Sequence, residues 1–287
     1  MLKTTGKRVL ITGASSGIGF ALAAEFARKK ARVVMTSRDL VRLENAAREL
    51  SHAFPRSPAP VTVQSDVTDQ DSARRLIRTC VDDLGGVDIL VNNAGIGVYG
   101  DAVRTSLEDF REVMEVNFFG GLRCVLEALP VMRKAGRGHI INIASVAAKH
   151  GVPYLAAYSA SKAAVVALSQ SLRAELARDG ISVMIVYPGY TETEFFRKEK
   201  KVGGGRRPEK PYAPAEKVAR AIVRAFQKEK RDLVLSFEGK ALGPLQNFFP
   251  RLVEAAMKRV AARLREPEEE AYGQTETSNH CSLPKPG

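Results

Sequence analysis

The stretch RVLITGASSGIG, residues 8–19, decides the fold. Val9, Leu10 and Ile11 form a short apolar run that suits a strand covered on both faces. The amphipathic pattern over residues 19–30 reads as the helix that follows. Between them lie Gly13, Ser15, Ser16, Gly17, Ile18 and Gly19. Glycines at such a turn let backbone approach a pyrophosphate and let the helix pack close to the strand. The helix N-terminus adds free N–H groups and the positive end of its dipole. Glycine spacing alone fits many tight turns; its place between strand and helix makes it a dinucleotide-binding signal.

Outward from this stretch the same rhythm repeats. Apolar, β-branched runs at 8–12, 32–36, 61–65, 87–92, 139–144, 182–187 and 233–237 read as strands, with helical patterns such as 40–51 between them. Alternating strand and helix imply a parallel sheet with helices on both faces and right-handed crossovers. The expectation is a single doubly wound, seven-stranded, Rossmann-like α/β domain over residues 1–238. A Pro-rich turn falls at 53–60. Residues 197–212, RKEKKVGGGRRPEKPY, read as a mobile loop or lid. A helical extension is expected over 239–265, with an amphipathic helix at 251–265, and a disordered tail over 266–287.

Composition narrows the class. The 287 residues carry 45% hydrophobic and 26% charged side chains, as soluble globular chains do. Cys80, Cys124 and Cys281 are scattered and lack metal-ligand spacing, so no metal site and a reduced, cytoplasmic setting are expected. Neither a signal-peptide pattern nor an apolar run of spanning length is evident. The formal net charge of +12 invites a nucleic-acid reading, yet no motif of that kind accompanies it. Much of the excess sits late in the chain, where it also suits peripheral contact with an anionic membrane.

The second strand ends in Ser37 and Arg38, where an NAD-preferring fold carries Asp or Glu for the ribose hydroxyls. A guanidinium there suits a 2′-phosphate, which it grips through charge-assisted hydrogen bonds, so NADP(H) is the expected cofactor. Asp39 reads as the N-cap of the following helix.

Further along come Asn92-Asn93-Ala94-Gly95 at the end of the fourth strand, Asn117 within a helix, and Ser145 after the fifth strand. Tyr158 and Lys162 then stand at i and i+4, on one helical face. Each feature alone is ordinary. The set TGASSGIG, NNAG, Asn117, Ser145, YSASK and Pro188-Gly189, in this order, resembles the short-chain dehydrogenase/reductase superfamily over residues 6 to 237. The resemblance implies hydride transfer between nicotinamide and a carbonyl or alcohol, with Tyr158 as general acid/base. It implies that Ser145 donates to the substrate oxygen, that Lys162 holds the nicotinamide ribose, and that Asn117 holds a water of a proton relay. An ammonium one turn away would also lower the phenol's pKa from about 10 toward the working range.

The same resemblance assigns Asp66 and Val67 to the adenine, Asn93, Ala94 and Gly95 to the cofactor cleft, and Pro188, Gly189, Thr191 and Thr193 to the nicotinamide side. Asn92 is expected to steady the sheet. Ile96, Val98, Tyr99, Val146, Val152, Tyr154, Leu155, Tyr190, Phe195 and Phe196 would line an apolar substrate pocket. The expected assembly is a homodimer acting on a small, apolar carbonyl or alcohol. The competing readings are a catalytically silent NADP(H) sensor and a membrane-surface scaffold.

Overall fold

In the computed structural model, which describes residues 1–195, 199–207 and 212–265, the chain alternates strand and helix from Arg8 onward. The strands are β1 (Arg8–Thr12), β2 (Arg32–Ser37), β3 (Val61–Gln64), β4 (Ile89–Asn92), β5 (Val98–Gly100), β6 (Gly138–Ile143), β7 (Ile181–Tyr187), β8 (Thr191–Glu192), β9 (Lys200–Gly203), β10 (Ala213–Pro214) and β11 (Asp232–Val234). The helices are α1 (Gly17–Arg28), α2 (Leu40–Ala53), α3 (Gln70–Leu84), α4 (Leu107–Met114), α5 (Gly120–Ala135), α6 (Ala156–Glu175), α7 (Ala215–Gln227), α8 (Phe237–Phe248) and α9 (Pro250–Leu264).

Seven strands form one parallel sheet in the order β11-β7-β6-β4-β1-β2-β3. The chain runs outward from β1 through β2 and β3, then returns to the other side of β1 as β4. That reversal opens a crevice at the carboxyl ends of β1 and β4, where such sheets bind ligands. Val9 and Ile11 face one layer, with Phe26, Met35, Leu43 and Ile222. Leu10 faces the other, with Leu76, Leu90, Cys124, Met132 and Ile140. Successive strand side chains point to opposite faces, so a strand covered twice is apolar on both.

The ends of elements follow local chemistry. Asp39 caps α2, accepting from the N–H of Arg42 at 3.0 Å. Asp69 caps α3 through Asp71 and Ser72, and Gly85 closes that helix in the left-handed region. Arg8 and Asp88 pair across the foot of β1 and β4 at 2.7 Å.

Two expectations need correction. The seventh strand stops at Val234, because Ser236 caps α8, accepting from the N–H of Gly239 at 3.0 Å, so Phe237 begins a helix. Residues 197–212 are not wholly loop. Within them β9 pairs with β5, and Lys200 donates to Asp109 at 2.7 Å. Phe196, Cys281, residues 197, 198 and 208–211, and the tail 266–287 lie outside the described residues. Among the described residues, no helix is long and apolar enough to cross a membrane.

Candidate active site

A cleft of about 420 Å³ opens at the crevice between β1 and β4. Its walls include Gly13, Ser15, Ser16, Gly17, Ile18, Ser37, Arg38, Asp66, Val67, Asn93, Ala94 and Gly95 at one end. Ser145, Tyr158, Lys162, Pro188, Gly189, Thr191 and Thr193 stand at the other. Gly19 and Asn117 lie behind these walls.

The first end is built as an anion cradle. A side chain at Gly19 would put its Cβ 2.3 Å from the carbonyl oxygen of Gly13, so only glycine permits this turn. Ser16 stands at the N-cap of α1 with no side-chain cap, and no acidic residue occupies the helix's first turn. The helix therefore presents its N–H groups and positive end to the cleft. Asn93 fixes the turn by donating to the carbonyls of Thr12 and Gly13 at 2.9 and 3.1 Å. The Ser15 hydroxyl reaches that of Ser37 at 3.1 Å, tying the turn to the end of β2. Beside it Arg38 is exposed and makes no ion pair among the described residues. The donor set fits a dinucleotide diphosphate.

The second end holds the reactive side chains. Tyr158 and Lys162 sit one turn apart on α6, with the ammonium 5.7 Å from the phenol ring centre. Lys162 is buried and donates to the carbonyl oxygen of Ile143 at 2.9 Å. Ser145 follows β6 and caps a short helical turn, accepting from the N–H of Ala147 at 3.1 Å. Burial pushes Tyr158 up to about 12 against a smaller opposing effect of the Ser145 side chain, and burial pulls Lys162 down to about 8. The expected lowering of the phenol by its lysine is thus absent in the protein alone. Removing water from both groups outweighs a charge that does not touch the hydroxyl.

Asn117 lies in a π-helical turn, Glu115–Phe119, between α4 and α5. Its Oδ1 accepts from the N–H of Ile96 at 2.8 Å, and its amide donates to the Ile96 carbonyl and to Ser161, both at 2.9 Å. The side chain is a clamp on the loop after β4. A small cavity of about 20 Å³ lies beside it, lined also by Thr12, Asn92, Asn142 and Lys162, and this is room for one water. Asn92 donates to Asn142 at 2.9 Å and to the carbonyl of Gly121 at 3.2 Å, linking β4 to β6 and α5. Asp66 accepts from the N–H and hydroxyl of Thr68, so Asp69 rather than Asp66 caps the next helix.

Of the expected substrate-side residues, Ile96, Val146, Val152, Leu155, Tyr190 and Phe195 line the cleft. Val98 and Tyr99 do not; they are buried in β5, which pairs edge to edge with β9. Tyr154 also faces away, donating to the carbonyl of Ala261 in α9 at 3.1 Å. Among the wall residues that carried no sequence signal are Gly97, Glu194 and Glu199, the last a carboxylate inside a basic stretch.

A doubly wound sheet whose cleft joins a glycine-rich turn to a buried lysine and a tyrosine defines a Rossmann-type oxidoreductase fold. The chain matches the short chain dehydrogenase family over residues 7–202. A Drosophila melanogaster dehydrogenase/reductase SDR family protein 7-like is 36% identical over 275 residues, spanning 93% of this chain and 84% of that protein. A Burkholderia phymatum short-chain dehydrogenase/reductase solved with NAD gives a TM-score of 0.79 at 25% identity, covering 88% of this chain and 96% of that one. A Burkholderia cenocepacia short-chain dehydrogenase solved with NADP gives 0.76 at 25% identity, covering 89% and 99%. The chain belongs to the short-chain dehydrogenase/reductase family of oxidoreductases.

Proposed function

We propose that this protein is an NADP(H)-dependent enzyme that interconverts a carbonyl and an alcohol on an apolar substrate, with Tyr158 as general acid/base. The observation that carries the reading is the placement of Tyr158 and Lys162 one turn apart on α6, with Ser145, in the same cleft as the glycine turn. When bound, the nicotinamide supplies or accepts the hydride. Tyr158 donates its proton to the carbonyl oxygen as negative charge builds there, and Ser145 donates a hydrogen bond to that oxygen. Lys162 steadies the phenolate left behind. A water in the small cavity between Asn117 and Lys162 would return the proton from solvent. Asp66, Val67, Gly95, Thr191 and Thr193 complete the cofactor walls.

The preference for NADP(H) rests on Ser37 and the unpaired Arg38 at the cleft rim. The apolar substrate rests on Ile96, Val146, Val152, Leu155 and Phe195. The test is consumption of NADPH and NADH against a panel of short, aromatic and long-chain ketones, with the matching alcohols run in reverse. Turnover of none of them, despite cofactor binding, would favour the sensor reading and end this one.

The extension supports a further assignment. Phe237, Phe248, Phe249 and Leu252 are exposed along α8 and α9, beside Arg251, Lys258, Arg259 and Arg263. Aromatic side chains next to basic ones suit the interface of an anionic membrane, so we assign the protein to the cytoplasm with peripheral membrane contact. Co-sedimentation with phosphatidylserine vesicles, lost in pure phosphatidylcholine and weakened by salt, is the expected result. No binding at low salt would leave α8 and α9 as packing alone. Phe119 and Leu126, exposed seven positions apart around the start of α5, support an isologous homodimer through that helix.

A further inference from the structure

Tyr154 turns its side chain away from the cleft, yet it stands between two residues of the cleft wall, Val152 and Leu155. The chain reverses over Val152-Pro153-Tyr154-Leu155, where the Leu155 N–H donates to the carbonyl of Val152 at 3.0 Å. Proline in the second place and a φ of 66° in the third are the marks of a type II turn. That third place suits glycine, because a Cβ crowds the backbone at positive φ. For a side chain as bulky as tyrosine the conformation is strained, and it persists only where neighbours hold it.

The neighbours of Tyr154 do hold it. Its ring lies against that of Tyr99 in β5, with centres 6.1 Å apart. Its hydroxyl donates to the Ala261 carbonyl at 3.1 Å, in the last turn of α9, where carbonyls lack partners inside the helix. Gly205 closes over the ring, and a Cβ there would fall 2.4 Å from it. The main-chain carbonyl of Tyr154 accepts from the N–H of Gly100 at 2.9 Å. All these contacts lie outside the cleft. On the inner side Val152 and Leu155 face it, Leu155 is the N-cap residue of α6, and Tyr158 follows within the first turn of that helix.

We propose that Tyr154 is a positioning residue for the substrate. Its side chain, gripped from outside the cleft, keeps the strained turn from relaxing and so sets Val152 and Leu155 as the wall against which a bulky ketone rests. The proposal stands on the reading of the cleft as a carbonyl-reducing site and deepens it. Glycine at this place would tolerate the turn but hold nothing, and the turn would sample other shapes. The wall belongs to the substrate end of the cleft, away from the glycine turn. Loosening it therefore acts on large ketones and leaves the cofactor alone.

The experiment measures kcat/KM of the full chain with NADPH for an aromatic ketone and for acetone. Their ratio cancels any loss of active protein. In Tyr154→Gly the ratio should fall about tenfold, the scale of one methylene lost from an apolar pocket. The fall should lie in KM for the aromatic ketone, with KM for NADPH unchanged. Tyr154→Phe keeps the ring and should recover most of the ratio. Gly205→Ala presses on the ring from its other side, so it should lower the ratio in the wild type but not in Tyr154→Gly, where the ring is gone. It also serves alone should Tyr154→Gly fail to fold. A ratio that Tyr154→Gly or Gly205→Ala leaves unchanged overturns the proposal, as does a loss from Gly205→Ala that is the same with and without the ring. Equal losses for both ketones and for the cofactor would make Tyr154 a support of the fold alone and overturn it too. If neither ketone is turned over, the carbonyl-reductase reading fails separately, and amide exchange then decides this one. The Leu155 amide should exchange faster in Gly205→Ala than in the wild type, and an unchanged rate overturns the proposal.

Discussion

The ammonium of Lys162 donates to the carbonyl oxygen of Ile143 at 2.9 Å, at the end of β6, with both groups shut away from solvent. One neutral hydrogen-bond acceptor is poor compensation for burying a charge, which is why the lysine's pKa falls to about 8. The folded state then holds the proton less tightly than the unfolded chain. Burial of Lys162 costs most below pH 8, and stability recovers as pH rises from about 8 toward the unfolded value of 10.5. Lys162→Met should therefore stabilise the cofactor-free protein by about 3 kcal/mol at pH 7, with the advantage gone by pH 10.5. Denaturant melts of both proteins across that range provide the check. A destabilised Lys162→Met at pH 7 would mean that the lysine is not a buried charge.

Tyr158→Phe removes one hydroxyl and keeps the ring that packs against Phe195. Turnover should fall by about 10²–10⁴-fold while fold and cofactor affinity stay, because only the proton donor is lost. Steady-state rates and a cofactor titration separate the two effects. A variant that kept a tenth or more of the wild-type rate would move the acid/base role to another group.

Arg38→Ala should weaken NADPH by one to two decades and NADH far less, since a charge-assisted hydrogen bond contributes about 1.5–3 kcal/mol. Equal losses for both cofactors would show that Arg38 supports the fold alone. The competing possibility is that Arg42, which pairs with Glu194 across the cleft mouth, turns to the phosphate instead. Arg42→Ala would then show the larger NADPH effect.

The last helix is tied to Tyr154 and to the segment after β9. Arg206 donates its N–H to the carbonyl of Leu264 at 2.6 Å, Gly205 bridges Arg265, and the Tyr154 hydroxyl reaches Ala261. A chain stopped after Phe249 loses all three. Amide exchange over residues 199–207 should quicken, and KM for the ketone should rise with little change in KM for the cofactor. Unchanged exchange would mean that β5 alone holds β9 in place.

Leu126→Glu places a charge on the face proposed for the dimer. Light scattering should report a monomer for this variant and a dimer for the wild type. A wild-type monomer, or a tetramer, would require a different surface.

Much of this molecule is legible from residue order. The seven apolar runs mark the seven sheet strands, because a parallel strand covered on both faces takes a polar side chain only where a partner meets it, as Asn142 meets Asn92. Their ends are less secure. The seventh run continues in sequence to Phe237, but Ser236 offers its hydroxyl to the N–H of Gly239 and starts a helix instead. Such a contest between strand propensity and a cap is settled by what packs beside it. The basic stretch after Phe195 reads as loop, yet part of it is a strand, since β5 offers an edge that periodicity does not reveal.

The sequence by itself determined the sheet, the glycine turn and the shared face of Tyr158 and Lys162, because each depends on spacing within one element. Only the tertiary structure decided what those groups touch. Asn117 meets Ile96 through a π-helical turn, Ser145 meets Tyr158 from a neighbouring strand end, and Glu199 enters the cleft opposite Gly97. It also decided that Phe248 and Leu252 face outward while Val253 is buried. Proton affinity and side-chain contacts arise from neighbours distant in the chain and from the water they exclude, and spacing along one element holds no record of either.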